Sequence, residues 1–116
     1  MDTALVFTWT GPVVGREAKV VDLFPESKDF FGKLAADGKC SELEVFFSPS
    51  APFNFALVEG SLVSILEIID SDEFRTLADK CFFLLEDWHY YTYVTGEQTQ
   101  PYVDRFATVG TELGFI

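Results

Sequence analysis

Four segments of this chain have the composition of β-strands, and each of them is apolar on both faces. The segments are Ala4–Thr10, Leu43–Phe47, Phe53–Val58 and Trp88–Val94. Successive side chains of a strand point to opposite faces of the sheet, so a strand with one wet face alternates apolar and polar residues. The helical segments suffice to cover only one face of such a sheet. Something else must cover the second face, and we expect it to be another copy of the chain.

The size and the aromatic content of the chain support this expectation. A length of 116 residues predicts one domain, spanning 1–116, that can form a core without disulfide bonds or metals. Of these residues 48% are hydrophobic and 16% are aromatic, and 13 are Phe. One thin domain does not easily bury so much aromatic surface, which predicts an interface or an apolar cavity.

Charge and cysteine content exclude several classes of partner. The net charge is −11, from 19 acidic and 8 basic residues, so nucleic acids and anionic membranes would be repelled. Cys40 and Cys81 match no metal-binding spacing, and we expect neither a metal nor a cofactor. Asp2 stands where a secretory leader would carry basic residues, so we expect a cytoplasmic protein. An acidic surface suits that location because it keeps abundant proteins in solution.

The first half of the chain reads as strand, helix and strand. The strand Ala4–Thr10 ends at a Gly-Pro pair, and a helix follows from Gly15 to Asp37. Pro25 lies inside this helix and removes a backbone donor, so it should kink the helix or divide it near Phe24. The next strand, about Ser41–Ser48, is the most polar of the four and is expected at the edge of the sheet.

The second half reads as strand, helix, strand and a trailing helix. Phe53–Glu59 is expected to pair antiparallel with the preceding strand across a short loop. Ser61 can cap a helix, and Ser71 can cap a fresh turn after a bend. The last strand is expected at about Leu85–Thr95, and the final helix begins near Gln100-Pro101. An apolar stripe runs along that helix through Tyr102, Phe106, Val109 and Leu113.

This order of elements predicts the fold class. Right-handed crossovers give an α+β, ferredoxin-like βαββαβ arrangement with a four-stranded antiparallel sheet, helices on one face and an additional C-terminal helix. The other face of the sheet is bare. We therefore predict a homodimer formed through the sheet faces, with the trailing helix clasping the partner.

The same order on so short a chain resembles the dimeric α/β-barrel superfamily of ferredoxin-like proteins. A local stretch, Ser71-Asp72-Glu73-Phe74-Arg75-Thr76-Leu77, followed by a last strand ending in Val94-Thr95-Gly96-Glu97, is similar to small bacterial members of unknown activity. The superfamily includes cofactor-independent monooxygenases, muconolactone isomerase and haem-degrading enzymes. No catalytic motif of these enzymes matches this chain residue by residue, so the resemblance implies a fold and not a reaction.

His89 is the single histidine, and its strand places it beside other polar side chains. Asp87, Tyr91 and Tyr93 lie at even spacings from it and share its face. The pattern predicts His89 as acid or base, Asp87 as its orienting group and Tyr91 as hydrogen-bond donor. However, strand positions two apart are separated by about 7 Å, which is long for a direct bond. The same residue types are also common at dimer seams.

The two tryptophans, Trp9 and Trp88, lie in predicted strands. With Tyr93 they are candidates for the wall of a pocket that binds an apolar or aromatic ligand, although they could equally fill the core. Two functions therefore stay open. The first is a small homodimer that binds an apolar or aromatic metabolite. The second is a cofactor-independent, monooxygenase-like or isomerase-like enzyme that uses His89.

Overall fold

The computed structural model describes all residues from 1 to 116. A 3-10 turn at Gly96–Thr99 precedes the last helix. Six strands and four helices follow one another as β1 (Thr3–Trp9), β2 (Gly11–Pro12), α1 (Glu17–Ala36), β3 (Glu44–Phe46), β4 (Asn54–Gly60), α2 (Leu62–Asp70), α3 (Asp72–Leu84), β5 (Leu85–Glu86), β6 (His89–Val94) and α4 (Gln100–Glu112).

The main sheet has four antiparallel strands in the order β3-β4-β1-β6. This is the predicted ferredoxin-like arrangement, with β1 in the centre and β3 and β6 at the edges. The register places Val6 of β1 between Leu57 of β4 and Tyr91 of β6. Because side chains alternate along a strand, Val6, Leu57 and Tyr91 share the outer face of the sheet, away from the helices.

The core lies on the inner face, beneath the helices. Leu5, Phe7 and Trp9 point there from β1 and are buried. The ring of Phe7 lies 5.6 Å from that of Phe31 in α1 and 6.2 Å from that of Phe74 in α3. The outer face has no such cover, because α1, α2 and α3 all pack on the same side.

Pro25 does not divide α1, which runs unbroken through it for 20 residues. The helix is anchored on both sides of the proline, since Leu23 before it and Phe31 after it are both 2% exposed. Burial of these two side chains stabilises each half by roughly 1.5–3 kcal/mol per side chain, enough to offset the missing hydrogen bond. The predicted division near Phe24 is therefore wrong.

The predicted strand Leu85–Thr95 is interrupted. It forms β5 and β6, separated by Asp87 and Trp88, and the φ of 54° at Asp87 lies in the left-handed region. The residues of β5 leave the main sheet and pair with β2, so that Gly11 faces Glu86 and Pro12 faces Leu85. The Gly-Pro pair, which was expected only to end the first strand, thus forms a short strand of its own.

The bend between α2 and α3 is confirmed, and one serine explains it. The Oγ of Ser71 accepts a hydrogen bond from the backbone N–H of Phe74 at 3.2 Å, which caps the start of α3. The same hydroxyl donates to the carbonyl of Ile68 at 2.7 Å, which closes the end of α2. Ser61 caps α2 as predicted, accepting from the backbone N–H of Ser64.

The last helix, α4, differs from the other three because none of its residues is buried. It packs mainly against the 3-10 turn that precedes it. None of the four helices is both long enough and apolar enough to cross a bilayer.

Candidate functional site

A cavity of about 40 Å³ lies between the helices and the inner face of the sheet. The pattern of β1 directs Phe7 and Trp9 into its wall, and the apolar stripe of α3 supplies Phe74 and Leu77. All 13 side chains that line it are hydrophobic. Such a space can hold an object of water size, but it offers water no hydrogen-bonding partner and should stay dry.

Both tryptophans line this cavity. Trp9 is 4% exposed and its ring packs 6.1 Å from that of Phe24. Trp88 is half-buried and stacks on Phe7, with ring centroids 6.1 Å apart and planes inclined by 16°. Trp88 follows the left-handed Asp87 and lies just before β6, so backbone pairing restrains it less than Trp9.

Cys81 also contributes to the cavity wall. Burial and, to a smaller extent, the negative charge of Glu26 together raise the pKa of this thiol to about 12. The thiolate is the nucleophilic form of cysteine, and at neutral pH this thiol keeps its proton. Cys81 therefore acts here as a small apolar side chain.

A second concave region lies on the opposite, outer face of the sheet. It is an open groove of about 680 Å³ that contains Asp87, His89, Tyr91 and Tyr93. Phe55 of β4, Thr8 of β1 and Thr10 just after β1 also line it, so the groove contains both apolar and polar groups. The centroids of the His89 and Tyr91 rings lie 6.1 Å apart.

Asp87 and His89 are in direct contact. The distance between Asp87 Oδ1 and His89 Nε2 is 3.0 Å, although the regular strand geometry predicted a separation too long for a bond. The break in the strand explains the difference, because the left-handed backbone of Asp87 turns its carboxylate toward the imidazole. Both side chains are more than half exposed, so this pair is accessible to solvent and to any molecule in the groove.

The sheet separates the residues that the sequence grouped together. Asp87, His89, Tyr91 and Tyr93 lie in the outer groove, whereas Trp9 and Trp88 lie in the inner cavity. Tyr93 thus stands on the other face from the two tryptophans. The sequence did not indicate the remaining lining residues as a site, although four of them, Phe74, Leu77, Ala78 and Cys81, belong to the apolar stripe of α3.

Acidic clusters elsewhere take structural roles. Asp70 pairs with Arg75 at 2.7 Å, and Asp72 and Glu73 lie in the first turn of α3, where the helix dipole favours negative charge. The structure places no group of three or more His, Cys, Asp or Glu side chains so that they could hold a metal ion.

No protein-family model matches the chain, and no curated protein matches it in sequence. Solved structures do resemble it. A proposed antibiotic biosynthesis monooxygenase of Deinococcus radiodurans superposes with a TM-score of 0.62 at 16% identity, over 82% of this chain and 93% of that one. Hydroxynitrile lyase from Passiflora edulis superposes with a TM-score of 0.58 at 13% identity, over 83% and 95% of the two chains.

A third similar structure is described as a dimer. It is a Bacteroides fragilis protein of unknown function with a ferredoxin-like fold, and it superposes with a TM-score of 0.53 at 14% identity, over 80% of this chain and 96% of that one. At such identities the similarity establishes the fold and does not carry an activity across. The chain therefore has the ferredoxin-like fold that these proteins share.

Proposed function

We propose that this protein is a homodimer, built from one domain of residues 1–116, that binds a small apolar or aromatic molecule between its helices and its sheet. The observation that supports this proposal is the inner cavity, because a space lined only by hydrophobic side chains favours an apolar occupant over water. The absence of a polar lining also predicts the selectivity. A ligand hydroxyl in this cavity would have no hydrogen-bond partner, so a hydroxylated ligand would bind more weakly than the corresponding hydrocarbon.

An aromatic ligand requires the cavity to expand. Its volume of about 40 Å³ is well below the roughly 150 Å³ of an apolar cavity that holds benzene. Trp88 is the wall element best able to move, because it lies in the break between β5 and β6 and is only half-buried. Ligand binding in this site is therefore accompanied by displacement of the Trp88 ring from Phe7.

Tryptophan fluorescence tests the ligand proposal, because Trp9 and Trp88 are the only two tryptophans. Toluene should change the emission in a saturable way, and phenol should bind about tenfold more weakly or worse. Ala78→Val places two carbon atoms in the cavity and should abolish the toluene response. The exposed Ala18→Val is the matched control and should keep it. Equal responses from both variants would show that toluene binds elsewhere.

The dimer proposal rests on the outer face of the sheet. Phe46 and Phe55 stack there with centroids 4.6 Å apart, and Tyr91 and Tyr93 remain half-exposed beside them. Such an aromatic surface on a sheet without covering helices is typical of an interface. The similar Bacteroides fragilis protein is also described as dimeric. We place this dimer in the cytoplasm, where an acidic surface keeps a protein in solution.

Sedimentation at micromolar concentration should give a mass of about 26 kDa, twice the 13.1 kDa of one chain. Tyr91→Glu puts a charge on the outer face and should shift the protein to monomer. Thr92→Glu puts the same charge on the next residue, which faces the other way, and should leave the dimer intact. A wild-type monomer at this concentration would refute the proposal.

The Asp87–His89 contact supports a second candidate function, a cofactor-independent enzyme of the monooxygenase or isomerase type with His89 as acid or base. A carboxylate within 3.0 Å can hold the imidazole in one tautomer, and Tyr91 could donate to a substrate oxygen. This reaction would occur in the outer groove and not in the inner cavity. Its test is an NMR titration of His89 with phenols and aromatic acids, in which unchanged shifts across the panel would exclude it.

A further inference from the structure

The helix α4 has an apolar side that stays largely exposed in its own chain. Its stripe consists of Tyr102, Phe106, Val109 and Leu113, and Phe106 is 75% exposed. A helix of 13 residues is only marginally stable in water without packing. The structure of this helix therefore implies a surface, outside its own subunit, against which the stripe packs.

The end of α4 is ordered by specific contacts rather than frayed. The backbone N–H groups of Phe115 and Ile116 donate to the carbonyl of Gly110 at 2.9 and 3.3 Å. Gly114, with a φ of 81°, permits this reversal. The Ile116 side chain lies so close to Gly110 that a Cβ there would stand 2.6 Å from its Cδ1. Ile116 thus packs against the end of α4 and adds an apolar side chain there.

The molecule is elongated, and we attribute this to α4, which has no buried residue. The radius of gyration is 17.0 Å and the longest extent is 54 Å. A compact chain of this length has a radius of gyration of about 13 Å. We call the segment 100–116 the arm.

We propose that the arm binds a second copy of this chain, on the exposed apolar patch formed by Leu62, Val63 and Leu66 at the start of that copy's α2. This inference rests on the proposed homodimer and names the contact that completes it. In a two-fold dimer the contact occurs twice, with each arm on the other subunit.

The area that a stable dimer must bury favours a second copy of the chain as the binding partner of the arm. The outer face of the sheet, with four strands of up to seven residues, measures about 19 by 23 Å, so two such faces bury on the order of 900 Å². Specific interfaces bury about 1,200–2,000 Å² in total. Two arms, each about 20 Å long and about 10 Å wide, add on the order of 800 Å² and bring the total into that range.

Geometry also favours this patch. The register aligns Thr3 with Gly60 and with Val94, so the start of α2 and the root of the arm lie at the same end of the sheet. Leu62 and Tyr102 line one groove there. When two sheets pack about 10 Å apart, the helix layer of the partner begins about 10 Å beyond its sheet. The arm is about 20 Å long, which equals the sum of these two distances, so it can reach the helix layer of the partner.

Charge is compatible with this docking. Within α4 only Asp104, Arg105 and Glu112 are charged, and Arg105 lies over the Tyr102 ring, 6.0 Å from its centroid. With one basic and two acidic side chains, the arm is repelled only weakly by the acidic body of the partner.

Disulfide trapping tests the contact directly. The test combines a chain carrying Val63→Cys with a chain carrying Val109→Cys under mild oxidation. The native Cys40 and Cys81 are buried, and the wild-type protein, which carries only these two cysteines, measures the background of cross-linking. A covalent dimer containing one of each variant is the expected product. In a chain carrying both substitutions, a cross-link inside one chain would show that the arm folds back on its own α2 and would overturn the proposal.

A second measurement separates the arm from the sheet interface. Phe106→Asp on the stripe should raise the dimer dissociation constant about tenfold or more, while Thr108→Asp on the opposite side of α4 should change it less than about threefold. If Phe106→Asp leaves association unchanged while Tyr91→Glu disrupts it, the arm contact is refuted and the homodimer stands. If the wild-type protein is monomeric, the proposed function itself fails.

Discussion

Replacing Phe74 by alanine should enlarge the inner cavity by one aromatic ring and destabilise the protein. Phe74 lies on α3, is 2% exposed and lines the cavity. Its ring contacts two others, with centroids 6.2 Å from Phe7 and 5.5 Å from Tyr90. Both neighbours are held by strands of the sheet, so they cannot easily move into the vacated space. The cavity should therefore persist in the variant.

The size of the effect follows from this burial. A Phe→Ala substitution in a core costs about 3–5 kcal/mol, and the better helix propensity of alanine returns about 0.5 kcal/mol. We expect a net loss of about 3–4 kcal/mol for Phe74→Ala. At about 4 °C per kcal/mol for a chain of this size, the Tm should fall by about 12–16 °C.

Thermal denaturation at several protein concentrations measures this loss and separates it from dimer dissociation. The matched control is Phe82→Ala, the same substitution on the same helix at a side chain that is 67% exposed. It should change stability by no more than about 0.5 kcal/mol. If Phe74→Ala costs no more than Phe82→Ala, Phe74 does not support the core as described.

Benzene provides the second part of the test, because it restores the missing ring of Phe74→Ala. At a concentration of about 100 times its Kd it should stabilise the variant by about 2.7 kcal/mol. The wild-type protein, whose cavity measures about 40 Å³, should gain less. An equal gain in both proteins would mean that benzene does not enter the enlarged cavity.

Three further predictions concern single residues. The pKa of Cys81 is raised to about 12 from the ordinary 9.0, so between these pH values the folded state holds a proton that the unfolded state has lost. The free energy of unfolding should therefore fall as pH rises from 9.0 to about 12. In Cys81→Ala the urea midpoint should fall less over this range. Asp87→Ala should lower the free energy of unfolding, measured by urea denaturation, by about 1 kcal/mol, because alanine is strained in the left-handed conformation of this residue. Asp87→Gly should leave it nearly unchanged, because glycine adopts this conformation freely. Ser71→Ala should cost about 1 kcal/mol and Ser71→Gly a few tenths, because the hydroxyl caps α3.

The sheet topology could be predicted because its signal is local and periodic. The residues of β1 alternate between two faces, with Leu5, Phe7 and Trp9 on one and Ala4, Val6 and Thr8 on the other, and this alternation identifies the segment as a strand. Ser61 and Ser71 mark helix starts through a hydroxyl that acts within its own turn. Such features depend on neighbours a few residues away, and the sequence displays them.

The break at Asp87 could not be predicted, because its cause lies far away in the chain. No glycine or proline marks the stretch from Leu85 to Trp88, which reads as a continuous strand. The pairing of Leu85 and Glu86 with Gly11 and Pro12 pulls β5 out of the main sheet, and the chain turns at Asp87 to begin β6. The Asp87–His89 contact is a consequence of this long-range pairing, so regular strand spacing gave too long a distance.

The alternation of the strands decides which chemistry can reach which ligand. A molecule in the inner cavity meets the side chains of Phe7, Trp9 and Phe74, while His89 lies on the other side of the sheet. The imidazole therefore cannot act as acid or base on a ligand bound among the tryptophans, and any His89 chemistry must use the outer groove. Packing of a second sheet on the outer face would enclose that groove at the interface. In this arrangement, ligand binding and dimer formation can influence each other through the segment in which Trp88, which lines the inner cavity, stands between Asp87 and His89, which line the outer groove.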